Sequence, residues 1–149
     1  VSASTAGAIK AFLEARGLGV SVFRDEAPKQ ADGSPHPLPY VTVAEAISIV
    51  RDPAFNSHDD PAGHVIETAQ IDVWQSWRDA TTRAVAESYT LGDAVALALA
   101  GARLPSAPTH TPGVHIVGIR RLLEPAGAPT VVHHAITVEI RRQLARTGA

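Results

Sequence analysis

The segment HVIETAQIDVWQS (64–76) alternates so that Val65, Ala69, Ile71 and Val73 share one side of an extended chain. A few residues later, from Asp79 to Ala100, the apolar period becomes helical. Val85, Tyr89, Val95 and Leu99 form one face of that helix, beside a four-residue ladder of Ala84, Ser88, Gly92 and Ala96. A long strand that hands over directly to a long helix constrains the fold strongly. The two apolar faces must meet, and the small residues let the helix backbone lie close to a sheet. Gly92 lowers helix propensity by about 1 kcal/mol relative to Ala, which close packing can offset. The other side of the strand carries Asp72 and Trp74, and Trp77 and Arg78 follow at the corner. An active site, a wet surface and a surface for another protein chain would each explain those residues.

The flanking elements complete an α+β pattern. Residues 5–16 read as a helix with Ile9, Phe12 and Leu13 on one face, Ser4 or Thr5 as its cap and Gly17 at its end. VSVFR (20–24) is a short strand, and YVTVAEAISIV (40–50) is a longer one with Val41, Val43, Ile47 and Ile49 on one face. VHIVGIRRLL (114–123) and VVHHAITVEIRRQLA (131–145) form a closing hairpin, with Val132, His134, Ile136, Val138 and Ile140 on one side. Loops of about 27–39, 51–63 and 102–113 are too rich in Pro, Gly and polar residues for regular structure. The expected architecture is one domain, 1–149. It has a mainly antiparallel sheet of about four to five strands, with the N-terminal helix and one long central helix packed on one face. At 45% hydrophobic and 5% aromatic, its core must be built from small side chains. No stretch approaches the ~20 apolar residues of a membrane span. The first residues lack the basic and apolar blocks of a signal peptide, so the chain reads as soluble.

Signals for chemistry are weak. The absence of Cys excludes disulfides and thiolate chemistry. His58, Asp59, Asp60 and His64 could ligate a metal, as in a small metal-dependent hydrolase centred on 58–64, but Asp-Pro and Pro-Ala-Gly there are also turn chemistry. The pair His133–His134 points to opposite faces of a strand and cannot act jointly; His134 reads as a hydrogen-bonded core histidine and His133 as exposed. No nucleophile elbow or phosphate loop occurs. Arg120–Arg121 and Arg141–Arg142 could form a basic strip across the hairpin, better suited to an interface or solvent than to nucleic acid, since no aromatic residue interleaves with them. Residues 1–113 hold 8 basic and 13 acidic groups, whereas 114–149 hold 5 basic and 2 acidic. That asymmetry is either ordinary surface charge or a device for head-to-tail contact between copies. Trp and Arg are enriched at interaction hot spots, so Trp74, Trp77 and Arg78 fit an oligomer interface; the alternative is a Trp that covers the core edge.

Four features together resemble the tail terminator, or tail-completion, proteins of long-tailed bacteriophages (siphoviruses) and prophages. They are the helix AIKAFLEA followed by GVSVFRDEAP, the entry PLPYVTV into a strand, the run ETAQIDVWQSWRDATTRAVAESYTLGDAVALAL, and the closing hairpin. The third is the most specific. The chain departs from the family in its longer Pro-rich loops at 27–39 and 102–113. The resemblance implies a virion protein with no catalytic residues and no cofactor, forming a hexameric ring. That ring caps the tail tube protein, ends its polymerisation and provides the joint to the head-tail connector (stopper) protein. DNA would pass through the lumen without specific binding, and no membrane would be involved. It would stand at the neck end of the tail after assembly in the host cytoplasm. On that reading Asp72, Trp74, Trp77, Arg78, Arg120 and Arg141 are candidates for the subunit interface. Asp52, Phe55, Asn56, His58, Asp59 and Asp60 are candidates for the tail-tube contact. A head-side neck or connector component is the alternative among virion proteins, and a stand-alone bacterial adaptor is another.

Overall fold

The computed structural model runs α1 (Thr5–Glu14), β1 (Ser21–Arg24), β2 (Tyr40–Val43), β3 (Ser48–Arg51), β4 (His64–Trp77), α2 (Thr82–Leu99), β5 (His115–Glu124) and β6 (Thr130–Gln143). The structure describes residues 5–45, 48–51, 64–77, 82–104, 113–124 and 130–143, without the side chains of 48–51, 64, 76–77, 82–90, 123–124, 130 and 142–143. The two long alternating segments form its spine, with β4 and β6 antiparallel and in register from His64↔Gln143 to Trp77↔Thr130. The strand order is β1-β2-β4-β6-β5, and β3 pairs with β4 beyond the end of β2.

One face of this sheet is apolar. Val41, Val43, Ala69, Ile71, Val73, Ile136 and Val138 form a single core with Ile9 and Leu13 of α1 and Val95, Ala96 and Leu99 of α2. Both helices therefore lie on the same face, as the sequence pattern requires. Each fully buried Ile or Leu here contributes about 1.5–3 kcal/mol. Among the described residues, no helix is long and apolar enough to cross a membrane. The connector after α2 starts at Gly101, whose φ of +70° suits glycine. Its N–H donates to the Val114 carbonyl and ties the helix end to the start of β5.

Three expectations need correction. Among the described residues the sheet has six strands and is mixed, because β1 and β2 are parallel. The fifteen-residue connection 25–39 is long enough to carry the chain back to the same end of the sheet, which a tight hairpin cannot do. The expected strand 40–50 is two strands. Val43 opposes Ile71 and Ser48 opposes Thr68, so four residues on this side face two on β4, and the ladder is interrupted there. Finally, α2 is described over Thr82–Leu99 and ends one residue before the end of the helical run expected over 79–100, and residues 79–81 lie outside the described ones.

Candidate interface on the bare sheet face

The second face of the sheet answers the question raised by Asp72 and Trp74. Register places Tyr40, Trp74, His133 and Leu122 in one row across β2, β4, β6 and β5. Strands about 4.8 Å apart give this row a span of roughly 14 Å. The Trp74 and His133 rings stack at 3.9 Å with 11° between planes, and Tyr40 lies against Trp74 at 6.2 Å. The row is extended by His36, from the loop before β2, which meets Phe23 edge-on at 4.8 Å and Tyr40 at 5.4 Å. Cross-strand aromatic pairs of this kind each contribute up to about 1 kcal/mol.

The adjoining row is polar. His133 Nε2–H donates to Asp72 Oδ1 at 2.5 Å, and Gln70 Nε2 donates to the same oxygen at 2.9 Å. Trp74 Nε1–H donates to Thr42 Oγ1 at 3.3 Å. Asp72 and His133 side chains are only 13% and 10% exposed, so their bond is shielded from water and charge-assisted. His133, expected to be exposed, is thus buried beneath Trp74. Alternation along β6 does place it opposite His134, but alternation alone cannot show that a neighbouring strand supplies a ring to cover it.

The opposite face holds a second polar group, at the contact of α2 with the sheet. His134 is fully buried, and a Cβ built on Gly92 would lie 2.5 Å from its Cγ. Arg121 Nε–H donates to His134 Nε2 at 3.2 Å, and Arg121 also pairs with Asp93 at 3.0 Å. A guanidinium can only donate, so the His134 Nε2 accepts and the ring is neutral. Its pKa is lowered from 6.5, chiefly by burial and then by the Arg121 charge, with Asp93 opposing. A bulge in β5 brings Arg121 here. Ile116 opposes Val138 and Gly118 opposes Thr137, so Val117 is extra and every later residue changes face. On the same side, buried Glu67 accepts a hydrogen bond from the Thr5 hydroxyl at the first turn of α1. Carboxylates are favoured at a helix N-terminus.

Of the candidate interface residues described, Asp72, Trp74 and Arg120 share the bare face, with Asp72 and Arg120 both level with Ala135, and Arg141 lies farther along β6. Asp72 and Trp74 are adjacent but engaged within the chain. Arg120, on the same face, opposes Ala135, and Arg141 opposes Ile66. Six strand positions separate the Arg120 and Arg141 levels along β6, roughly 20 Å, so the two arginine pairs do not form one strip. Trp77 is the last residue of β4, and its side chain lies outside the described ones. Arg78 lies outside the described residues, as do Asp52, Phe55, Asn56, His58, Asp59 and Asp60 of the candidate tube-contact loop. Among the described residues, no three His, Asp or Glu side chains converge on a metal position. Neither His133, Tyr40 and Thr42 nor the Arg121–His134–Asp93 group could be placed without strand register. The one sequence signal was the alternation of Tyr40 and Thr42 with Val41 and Val43.

No family model matches this sequence, and no curated protein matches it. Among solved structures, a chain of "Virion of native gene transfer agent (GTA) particle" superposes with a TM-score of 0.63 at 17% sequence identity. The alignment covers 95% of this chain and 96% of that chain, so the two share their fold almost end to end.

Proposed function

We propose that this protein is a structural component of a phage-like virion, a ring that caps the tail tube, stops its polymerisation and joins it to the head connector. The observation that carries the reading is the shared fold with a chain of a gene transfer agent virion over nearly the whole of both chains. The sequence resemblance points the same way, and two of its pieces, PLPYVTV and QIDVWQSW, are neighbours in the sheet through Tyr40↔Trp74. The mechanism is surface complementarity, with one ring face for the tube and the other for the connector. Subunits meet by a heterologous contact that closes on itself, in a hexamer. DNA passes through the lumen without being read.

Asp72 and Trp74 have partners within the chain, so in this reading they stiffen the subunit, and Arg120 and Arg141 are, among the described residues, the interface candidates that are exposed. Loop 52–63 is assigned to the tail tube. Deleting residues 54–62 is expected to leave the ring intact and abolish tube binding; retained binding would remove that assignment.

Particles assembled without this chain test the function itself. Overlong tails are the expected result. Tails of normal length with leaking heads would instead identify a head-side connector component.

A further inference from the structure

We infer that copies of this chain join head to tail through opposite edges of the sheet, the basic β5 edge of one copy against the acidic β1 edge of the next. The inference rests on the ring reading above and names its mating surfaces. β1 and β5 are the terminal strands of the sheet, and among the described residues no strand pairs with the outer side of either. β5 is ten residues long, a length at which an edge presents a row of backbone donors and acceptors to any incoming strand. It also carries two of the three exposed large hydrophobic residues among those described, Val117 at 53% and Ile119 at 43% exposure. A long edge with apolar residues in solvent suits a protein partner better than water.

Charge selects that partner. The β5–β6 hairpin, 114–143, carries Arg120, Arg121, Arg141 and Arg142 against Glu124 and Glu139, a balance of +2. The segment 21–45 at the other edge carries Asp25, Glu26, Asp32 and Glu45 against Arg24 and Lys29, a balance of −2. Arg24 is paired with Glu45, so Asp25, Glu26 and Asp32 against Lys29 leave the same balance of −2 there. Arg121 is likewise paired with Asp93, which leaves the hairpin a balance of +1, and exposed Arg120, on the other face, is the basic group of the β5 edge itself. Two β5 edges repel each other, as do two β1 edges, whereas unlike edges attract. The arginines and the bulge at Val117 thus discourage indiscriminate strand pairing but admit an acidic edge. Pairing of unlike edges is heterologous, which builds rings, while pairing of like edges would stop at a two-fold dimer.

Because the chain has no cysteine, single Cys variants report this contact cleanly. Ser21→Cys on the β1 edge and Val117→Cys on the β5 edge are mixed in equal amounts and treated with a short bismaleimide. The mixed 21–117 adduct is expected to exceed both homotypic adducts several-fold. It should fall with Arg120→Glu in the Val117→Cys partner and recover when Glu26→Arg is added to the Ser21→Cys partner. A mixed adduct no more than about twice as abundant as either homotypic one, the ratio of random encounter, overturns the edge assignment. If wild-type protein then still scatters light as a closed oligomer, the ring stands without this contact. Mixed adducts that extend into an open series, with no closed species, uphold the edge contact and overturn the ring.

Discussion

Gly92→Ala is the substitution for which sequence and structure make opposite forecasts. On an isolated helix it would stabilise by about 1 kcal/mol. In the fold, the added Cβ falls 2.5 Å from Cγ of His134, whereas carbon atoms in contact prefer about 3.5–4.0 Å. Helix or ring must therefore retreat by about 1 Å. The ring has little room to do so, being fully buried and held by Arg121. Overpacking of this kind costs about 1–3 kcal/mol, and loss of the Arg121 hydrogen bond adds roughly 0.5–1.5 kcal/mol. After the propensity gain, the net destabilisation is about 2 kcal/mol, or about 4–8 °C in Tm for a chain of this size. Differential scanning calorimetry of four proteins (wild type, Gly92→Ala, His134→Ala and the double variant) isolates the contact. In the His134→Ala background the alanine at 92 should be neutral or stabilising. An unchanged or raised Tm for Gly92→Ala alone would refute close helix–sheet packing at this point.

Asp72→Ala removes the acceptor of both His133 and Gln70 and is expected to cost about 1.5–3 kcal/mol in urea unfolding, with Asp72→Asn costing less because it keeps an acceptor oxygen. Equal stability of all three proteins would show that the bare-face network contributes nothing. His134 predicts an acid-side loss of stability. The unfolded ring titrates near 6.5 and the buried one lower, so below pH 6.5 the unfolded chain binds a proton that the folded chain does not. This contribution is undiminished above about pH 7 and declines as pH falls through 6.5. An NMR titration of the ring should place the His134 midpoint below 6.5, and a midpoint at or above 6.5 would contradict its burial against Arg121. Trp74→Ala unstacks both Tyr40 and His133 and should lower Tm by several degrees before any effect on assembly appears. Loss of assembly at unchanged Tm would instead place Trp74 in a subunit contact.

Periodicity made the spine of this fold readable. Ile71 and Val73 on one side and Asp72 and Trp74 on the other follow from alternation, and the closeness of α2 to the sheet follows from its small residues. The closing hairpin was readable too and is β5 with β6, but pairing between segments distant in the chain was not. That β1 lies parallel to β2 turns on how the loop 25–39 returns, and its composition says only that it is not regular. The single extra residue in β5 has the largest consequence for the site. It moves Arg121 to the helix side, where it meets His134 and Asp93, and leaves Arg120 on the bare side. A one-residue slip exchanges every side chain between faces; Gly118 within the strand pattern is a local signal for a bulge but does not give the register on either side of it. His133 shows the same limit. Its burial is supplied by Trp74, 59 positions away in the chain.

The most direct test of a tube-capping role uses the cognate tail tube protein, polymerising in vitro and imaged by negative-stain electron microscopy, with this chain added in increasing amounts. The ring account predicts tubes that become shorter with dose and carry an extra ring of density at one end only. Tubes of unchanged length with bare ends, at concentrations where the chain is folded, would contradict it.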